Sequence, residues 1–244
     1  MVQMAVSPLP QWFEGSEYTH KVAVCVMKYG PISRITLAQI LGLSQGAVSR
    51  ITSDLIYAGV IEETPMPSGK AGKLPKGFVQ KENTERRGRP QMGLRIIENA
   101  RSFVGMKINA THISAVAVNA IGQIITGCHD LEIEDTSPQT VVALIKQLTI
   151  DCSDEAEMAG WPKPCAVGIS LGGYVIDNAV VTFAPFMHWS QPVELSAMVH
   201  EATGLPTGIY NDIDSLVVDA CLFGSGVGLD SFAVLTFGDR KSVV

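Results

Sequence analysis

The tripeptide Gly42-Leu43-Ser44 separates two stretches of helical periodicity, and it constrains the front of the chain more than any other feature. Glycine adopts the left-handed conformation that ends a helix, and serine caps the helix that follows. A turn this short holds two helices against each other at a steep angle, as in a helix-turn-helix. The apolar spacing predicts three helices, over about Glu17 to Tyr29 (capped by Ser16), Leu37 to Leu41 (capped by Thr36) and Gln45 to Ala58 (closed by Gly59).

The third predicted helix has one apolar side and one polar side. Val48, Ile51 and Leu55 recur at helical spacing and predict its buried side. Short polar residues and one arginine lie on the other side, where they can reach base edges in the major groove of DNA. A helical hairpin with no role in DNA binding would show the same apolar stripe. The residues predicted to contact DNA from this region are Ser33, Arg34, Ser44, Gln45, Gly46, Ser49 and Arg50.

A basic segment follows the helices. Val60 to Glu63 is a predicted strand and Met92 to Ile97 its return, with 28 residues rich in Gly, Pro and Lys between them. Inside this segment, glycine lets the backbone approach a groove floor while flanking arginines enter a narrow minor groove. We therefore predict further DNA contacts, with a solvated basic loop as the alternative, at Arg86, Arg87, Gly88 and Arg89. Residues 1–97 are predicted to form a winged helix-turn-helix.

The charge of the chain divides at about the same place. Residues 1–95 contain 12 Lys and Arg against 7 Asp and Glu, which is a net charge of +5. Residues 96–244 contain 6 against 17, a net charge of −11, and the whole chain carries −6. A basic front suits a polyanionic partner such as double-stranded DNA, whereas an acidic back repels one. Chance clustering of surface charge would give the same numbers.

Composition indicates a globular cytoplasmic protein. The chain is 46% hydrophobic and 17% charged, and no apolar run approaches the roughly 18 residues that span a bilayer. Met1 to Gln11 lacks the order of a signal peptide. The five cysteines are dispersed without a CxxC pair, which is typical of reduced thiols. We expect no membrane partner and no metal site.

Residues 98–244 are predicted to form an α/β domain, because strands and helices alternate along them. Strands are predicted within Ser102 to Val118, and at Gln123 to Gly127, Cys165 to Leu171, Thr207 to Tyr210 and Phe232 to Phe237. Helices are predicted at Pro138 to Glu157, Glu194 to Thr203 and Ile213 to Phe223.

Several motifs, in this order and spacing, resemble the ROK family of repressors and sugar kinases. They are Gly30-Pro31-Ile32-Ser33-Arg34, Gly88-Arg89-Pro90, the run from Gly168 to Val175, Ala184-Pro185, Trp189, Gly204-Leu205-Pro206 and Asn211-Asp212. The resemblance implies a partial actin-like (ribonuclease H-like) sugar-kinase-type domain behind the winged helix. It also implies a repressor of carbohydrate-metabolism genes that binds an operator and responds to a sugar or sugar derivative, as a homodimer or, alternatively, as a monomer.

The resemblance also implies a sugar-binding set: Gly172, Gly173, Asn211 and Asp212. Asp212 matches the base of the family's kinases. From the residues alone, Asp212 could equally cap a helix that begins near Ile213, and Gly172-Gly173 could be a tight turn. Phe186 and His188 stand where many relatives have asparagine and glycine.

The chain departs from the family's kinases at the nucleotide. Their Asp-x-Gly-Gly-Thr turn corresponds here to the stretch from Lys107 to Thr111, where lysine replaces the carboxylate and Asn-Ala replaces the glycine pair. Their later phosphate loop and zinc cysteines have no counterpart, so we expect no cofactor, no zinc and no catalysis. Two alternatives stay open: an ATP-dependent ROK-type sugar kinase, and a constitutive DNA-binding protein with a degenerate effector domain.

Overall fold

The computed structural model describes residues 15–66, 74–78 and 92–236. Its N-terminal unit contains three helices and one antiparallel pair of strands. They are α1 (Glu17–Tyr29), α2 (Arg34–Leu41), α3 (Gln45–Tyr57), β1 (Ile61–Pro65) and β2 (Met92–Ile96). In the strand pair, Ile61 lies opposite Ile96, so the two described ends of the basic segment are joined in the register of a hairpin.

Serine side chains start all three helices of this unit. Ser16, Ser33 and Ser44 each accept a hydrogen bond from a backbone N–H in the first turn of α1, α2 and α3. The predicted start of α2 is therefore wrong. The cap is Ser33 rather than Thr36, and α2 begins at Arg34 because Ser33 Oγ accepts the Thr36 N–H at 3.1 Å.

The predicted apolar stripe of α3 is buried. Val48, Ile51 and Leu55 pack in one cluster with residues of α1, α2 and both strands. Leu37 and Leu94 of the same cluster are fully inaccessible to solvent. The three helices and the strand pair thus share one core, which fixes α3 with its polar side outward.

The second unit is built on a five-stranded sheet. Its elements are β3 (Ser102–Ile108), β4 (His112–Asn119), β5 (His129–Glu132), α4 (Pro138–Met158), β6 (Pro164–Leu171), β7 (Tyr174–Ile176), β8 (Val180–Phe183), a 3₁₀ turn (Pro185–Met187), α5 (Leu195–Thr203), β9 (Thr207–Asn211) and α6 (Asp212–Leu222). The strand order is β5-β4-β3-β6-β9. β3, β6 and β9 are parallel neighbours, whereas β4 runs antiparallel to both of its neighbours, β3 and β5. The predicted α/β class is confirmed.

The two faces of this sheet differ. Helices α4 and α5 cover one face, where Val104, Ile169 and Ile209 are buried against Ile145 and Val199. The opposite face is open, and Gly105, Gly168 and Gly208 lie in register across it. Helix α6 lies at this open face. None of the described helices, including the 21-residue α4, is both long and apolar enough to cross a membrane.

Two predicted strands are wrong. Gln123 to Gly127 form no strand: they follow a turn in which the Asn119 side chain accepts the N–H groups of Ile121 and Gln123, and only an isolated bridge joins Ile124 to Val118. The third strand forms later, at β5. Residues 231–236 have no regular structure, and no described strand pairs with them: the sheet ends at β9. Phe237 lies outside the described residues.

We expect Ile145→Ala to lower the free energy of unfolding by about 2–5 kcal/mol, because the side chain is fully buried between α4 and the sheet. Ile150→Ala on the same helix is the matched control, since Ile150 is 43% exposed. Urea unfolding followed by tryptophan fluorescence measures both. Equal losses in the two variants would contradict the described packing of α4.

Candidate functional site

The polar side of α3 forms an exposed surface. All of its predicted DNA contacts are open to solvent: Ser44, Gln45, Gly46, Ser49 and Arg50. Ser44 also caps the helix, since its Oγ accepts the Ala47 N–H at 3.2 Å. The helix N-terminus therefore presents a partial positive charge beside an arginine, an arrangement that suits an anionic backbone.

Two other predicted contacts have structural roles. Ser33 is only 5% exposed and caps α2. Arg34 is occupied inside the unit: its Nε donates to Thr52 Oγ1 at 2.9 Å and its Nη1 donates to Glu63 Oε1 at 2.6 Å. This arginine links α2, α3 and β1. Thr52 and Glu63 were not singled out from the sequence, because their partner is distant along the chain.

The base of the strand pair carries a second arginine. Arg95 Nε donates to Glu62 Oε1 at 2.7 Å across β1 and β2. The predicted minor-groove residues lie outside the described residues, so they stay predictions: Arg86, Arg87, Gly88 and Arg89.

The four predicted sugar-binding residues lie together at the carboxyl ends of β6 and β9. Asn211 Nδ2 donates to the carbonyl of Gly173 at 2.7 Å. A Cβ placed on Gly172 would lie 3.7 Å from Asp212 Oδ2 and 3.7 Å from Cε1 of Phe186. Carboxyl ends of parallel strands are where α/β sheets bind ligands. Phe186 is therefore part of this cluster, which we call the effector site.

Asn211 and Asp212 differ in whether a polar side-chain atom remains free to bind a ligand. Asn211 uses both ends of its amide, since its Oδ1 also accepts the Ile213 N–H at 2.8 Å. Asn211, and not Asp212, is the cap of α6, so the helix begins one residue earlier than predicted. Asp212 Oδ1 contacts the same N–H at 3.0 Å, whereas Oδ2 accepts no hydrogen bond from the described part of the chain. The carboxylate of Asp212 is thus available to a ligand.

Gly172 and Gly173 differ in the space that surrounds them. A Cβ on Gly173 would lie 2.5 Å from the carbonyl oxygen of Phe183, so only glycine fits there. Gly172 has ordinary van der Waals room on its side-chain face. The close approach of the β8 backbone, rather than a tight turn into a helix, therefore explains Gly173, and strand β7 follows it. Gly172 lines the space beside Asp212.

The turn between β3 and β4 contains the stretch that the motif resemblance matches to a kinase phosphate turn. Asn109 Oδ1 accepts the backbone N–H groups of Thr111 at 2.9 Å and His112 at 2.8 Å. A phosphate bound in such a turn would need free backbone N–H groups. Here a side chain of the protein already occupies these two.

A groove of about 430 Å³ runs along the open face of the sheet, beside the effector site. Gly105 and Gly168 form part of its floor, and Lys107, Ser170, Tyr210 and Ser215 are among its polar lining residues. Burial raises the pKa of Tyr210, while a hydrogen bond with Asn178 acts in the opposite direction. Among the described residues, no group of three or more His, Cys, Asp or Glu side chains is placed to hold a metal ion.

We expect Arg34→Gln to lower the free energy of unfolding by about 1–2 kcal/mol, because it leaves Glu63 without its charged partner. Arg95→Gln is the matched control, since the Arg95–Glu62 pair is more exposed and such pairs contribute about 0–1 kcal/mol. Thermal unfolding followed by circular dichroism compares the two. An equal or smaller effect of Arg34→Gln would contradict its bridging role.

Comparison with known proteins shows which proteins the chain is similar to. No protein-family model matches it. It is 23% identical over 203 residues to the DNA-binding transcriptional repressor Mlc of Escherichia coli strain K12, across 82% of this chain and 45% of that protein. It is also 23% identical over 203 residues to a xylose repressor of Bacillus spizizenii, across 82% of this chain and 47% of the repressor.

A solved structure shows the same fold. The crystal structure of a ROK family transcriptional regulator, a homologue of the Escherichia coli Mlc protein, matches with a TM-score of 0.60 and 23% identity. The match covers 84% of this chain and 48% of that one, so the chain spans about half the length of the relatives it matches. The chain is therefore a homologue of the Mlc and xylose repressors of the ROK family, as its motifs predict.

Proposed function

We propose that this chain is a DNA-binding transcriptional repressor whose second domain responds to a sugar or sugar derivative. The observation that carries the proposal is the exposed polar side of α3 above a buried apolar stripe, in a chain whose named relatives are repressors. One of these relatives is named for xylose, which supports a carbohydrate as the effector.

DNA binding would use α3 as the reading helix. In two copies of the chain, two such helices would enter successive major grooves about 34–36 Å apart. Arg50 is the long cationic side chain at the exposed end of α3 and would contact a guanine edge or a phosphate. The net charge of +5 on residues 1–95 would attract the duplex and make affinity fall steeply with salt.

Ligand binding without phosphoryl transfer fits the second domain better than kinase activity. Asn109 already occupies two backbone N–H groups of the β3–β4 turn. Lys107 stands where the family's kinases carry a carboxylate for the metal. A sugar hydroxyl could still donate to Asp212 Oδ2, with the Phe186 ring beside it. Such a ligand lowers DNA affinity only if it binds the DNA-free state more tightly than the DNA-bound state.

We expect Arg50→Ala to weaken binding to the chain's own upstream DNA by about 1–3 kcal/mol, because one base or phosphate contact is lost. Fluorescence anisotropy with a salt titration measures the affinity and its salt slope. Lys163→Ala is the matched control, since this exposed lysine lies between α4 and β6, far along the chain from α3. Binding that is absent in the wild type, or unchanged by Arg50→Ala, would refute the proposal.

For the effector site, we expect Asp212→Asn to weaken sugar binding about tenfold or more, because a charge-assisted hydrogen bond becomes a neutral one. Isothermal titration calorimetry with D-xylose and D-glucose is the measurement. Asp214→Asn removes the same charge from an exposed position of α6 and is expected to leave sugar affinity unchanged. Wild-type affinity in Asp212→Asn would remove Asp212 from the site, and ATP-dependent phosphorylation of either sugar would favour the kinase alternative.

A further inference from the structure

We propose that α6 couples the effector site to the DNA-binding unit, so that a ligand on Asp212 acts on DNA affinity by moving this one helix. The inference rests on the proposed function and concerns its regulation. It follows from what holds each end of α6 and from how little holds its middle.

The N-terminal end of α6 is part of the effector site. Asn211 caps the helix and also holds the Gly173 carbonyl, so the first turn of α6 and the β6–β7 turn move together. Asp212, the first residue of the helix, carries the free carboxylate oxygen beside Gly172. Any ligand that hydrogen-bonds to this oxygen therefore pulls directly on α6.

The C-terminal end of α6 contacts the DNA-binding unit. Lys28 Nζ, in the last turn of α1, donates to Cys221 Sγ at 3.1 Å. Just past the helix, the Phe223 ring would lie 3.3 Å from a Cβ placed on Gly122. These two contacts seat the end of α6 against α1 and against the turn that follows β4.

The turn after β4 belongs physically to the N-terminal unit. Ala120 is buried in the same apolar cluster as α1 and α3, and Ile121 packs against that cluster. The Ala120 N–H also donates to the Glu98 carbonyl at 3.1 Å, just beyond β2. Phe223 thus touches a segment that is packed into the core beneath the reading helix.

Between its ends α6 is weakly held. None of its 11 residues is buried among the described part of the chain, and Ile213, Leu216 and Val218 are exposed. A helix of this length is about 16 Å long and stays rigid while its few contacts adjust. A displacement of α6 at Asp212 therefore also moves its other end, which contacts Lys28 and Gly122, because few packing contacts hold the helix in between. Helix α1 packs against α3, so the displacement reaches the reading helix.

Coupling of this kind is reciprocal, so DNA bound at α3 must change the effector end of α6. This gives a test that needs no identified sugar. Amide hydrogen exchange over residues 207–224 is measured by mass spectrometry in the full chain, with and without the upstream DNA fragment. We expect DNA to change exchange in the first turn of α6 by about fivefold or more in the wild type.

Two variants break the contact and one serves as the control. Lys28→Met and Cys221→Ala should each reduce the DNA-dependent change to less than about twofold while the chain still binds DNA. Lys21→Met removes the same charge from the same helix, at a lysine paired with Glu17, and should keep the wild-type response.

The outcomes separate the two proposals. A wild-type chain that binds no DNA defeats the proposed function and the coupling with it. A chain that binds DNA with unchanged exchange in α6 defeats the coupling alone. A response that survives in both Lys28→Met and Cys221→Ala overturns transmission from α6 to α1, because these variants remove the one hydrogen bond between the two helices among the described residues.

Discussion

The amide of Asn211 makes the two hydrogen bonds on which the functional end of the second domain depends. One bond holds the Gly173 carbonyl and thereby fixes the turn after β6; the other caps α6. Because Asn211 ends β9, these bonds join two parallel strands and a helix at one corner of the sheet. The carboxylate of Asp212 is exposed to a ligand because the neighbouring amide satisfies the backbone around it. An apolar residue at position 211 would leave the Gly173 carbonyl without this donor and the Ile213 N–H with Asp212 Oδ1 alone.

Local signals in the sequence predicted most of the elements. The buried side of α3, the strand pair and the α/β alternation depend on periodicity, which is visible within one segment. Some of the errors are local choices between neighbouring polar side chains, as at the start of α2. Other features depend on partners outside the segment. Arg34 stays a predicted DNA contact, and its bonds to Thr52 and Glu63, 18 and 29 residues away, could not be predicted from its own segment. The segment from Phe232 has the composition of a strand, but a strand also needs a neighbour, and pairing is not written in the segment itself.

At the effector site the sequence predicted which residues meet but not how each is used. The motif resemblance grouped Gly172, Gly173, Asn211 and Asp212, and the structure brings them together. It could not assign the cap to Asn211, because Asn and Asp are almost equally good caps and stand side by side. Nor could it place Phe186 against Gly172, since that contact depends on the 3₁₀ turn at Pro185–Met187.

The same sheet can serve a kinase or a sensor, and the difference lies in small features of its turns. A phosphate turn needs free backbone N–H groups and a carboxylate for the metal. Here the Asn109 side chain already accepts two of these N–H groups. Lys107 stands where the motif resemblance places the carboxylate, so the charge there is reversed. The ligand-facing carboxylate at Asp212 is independent of that turn. A chain can therefore lose the chemistry and keep the binding. A sensor also needs a route from its ligand site to DNA, and the route that we propose is helix α6, which begins at Asp212 and contacts α1 through Cys221.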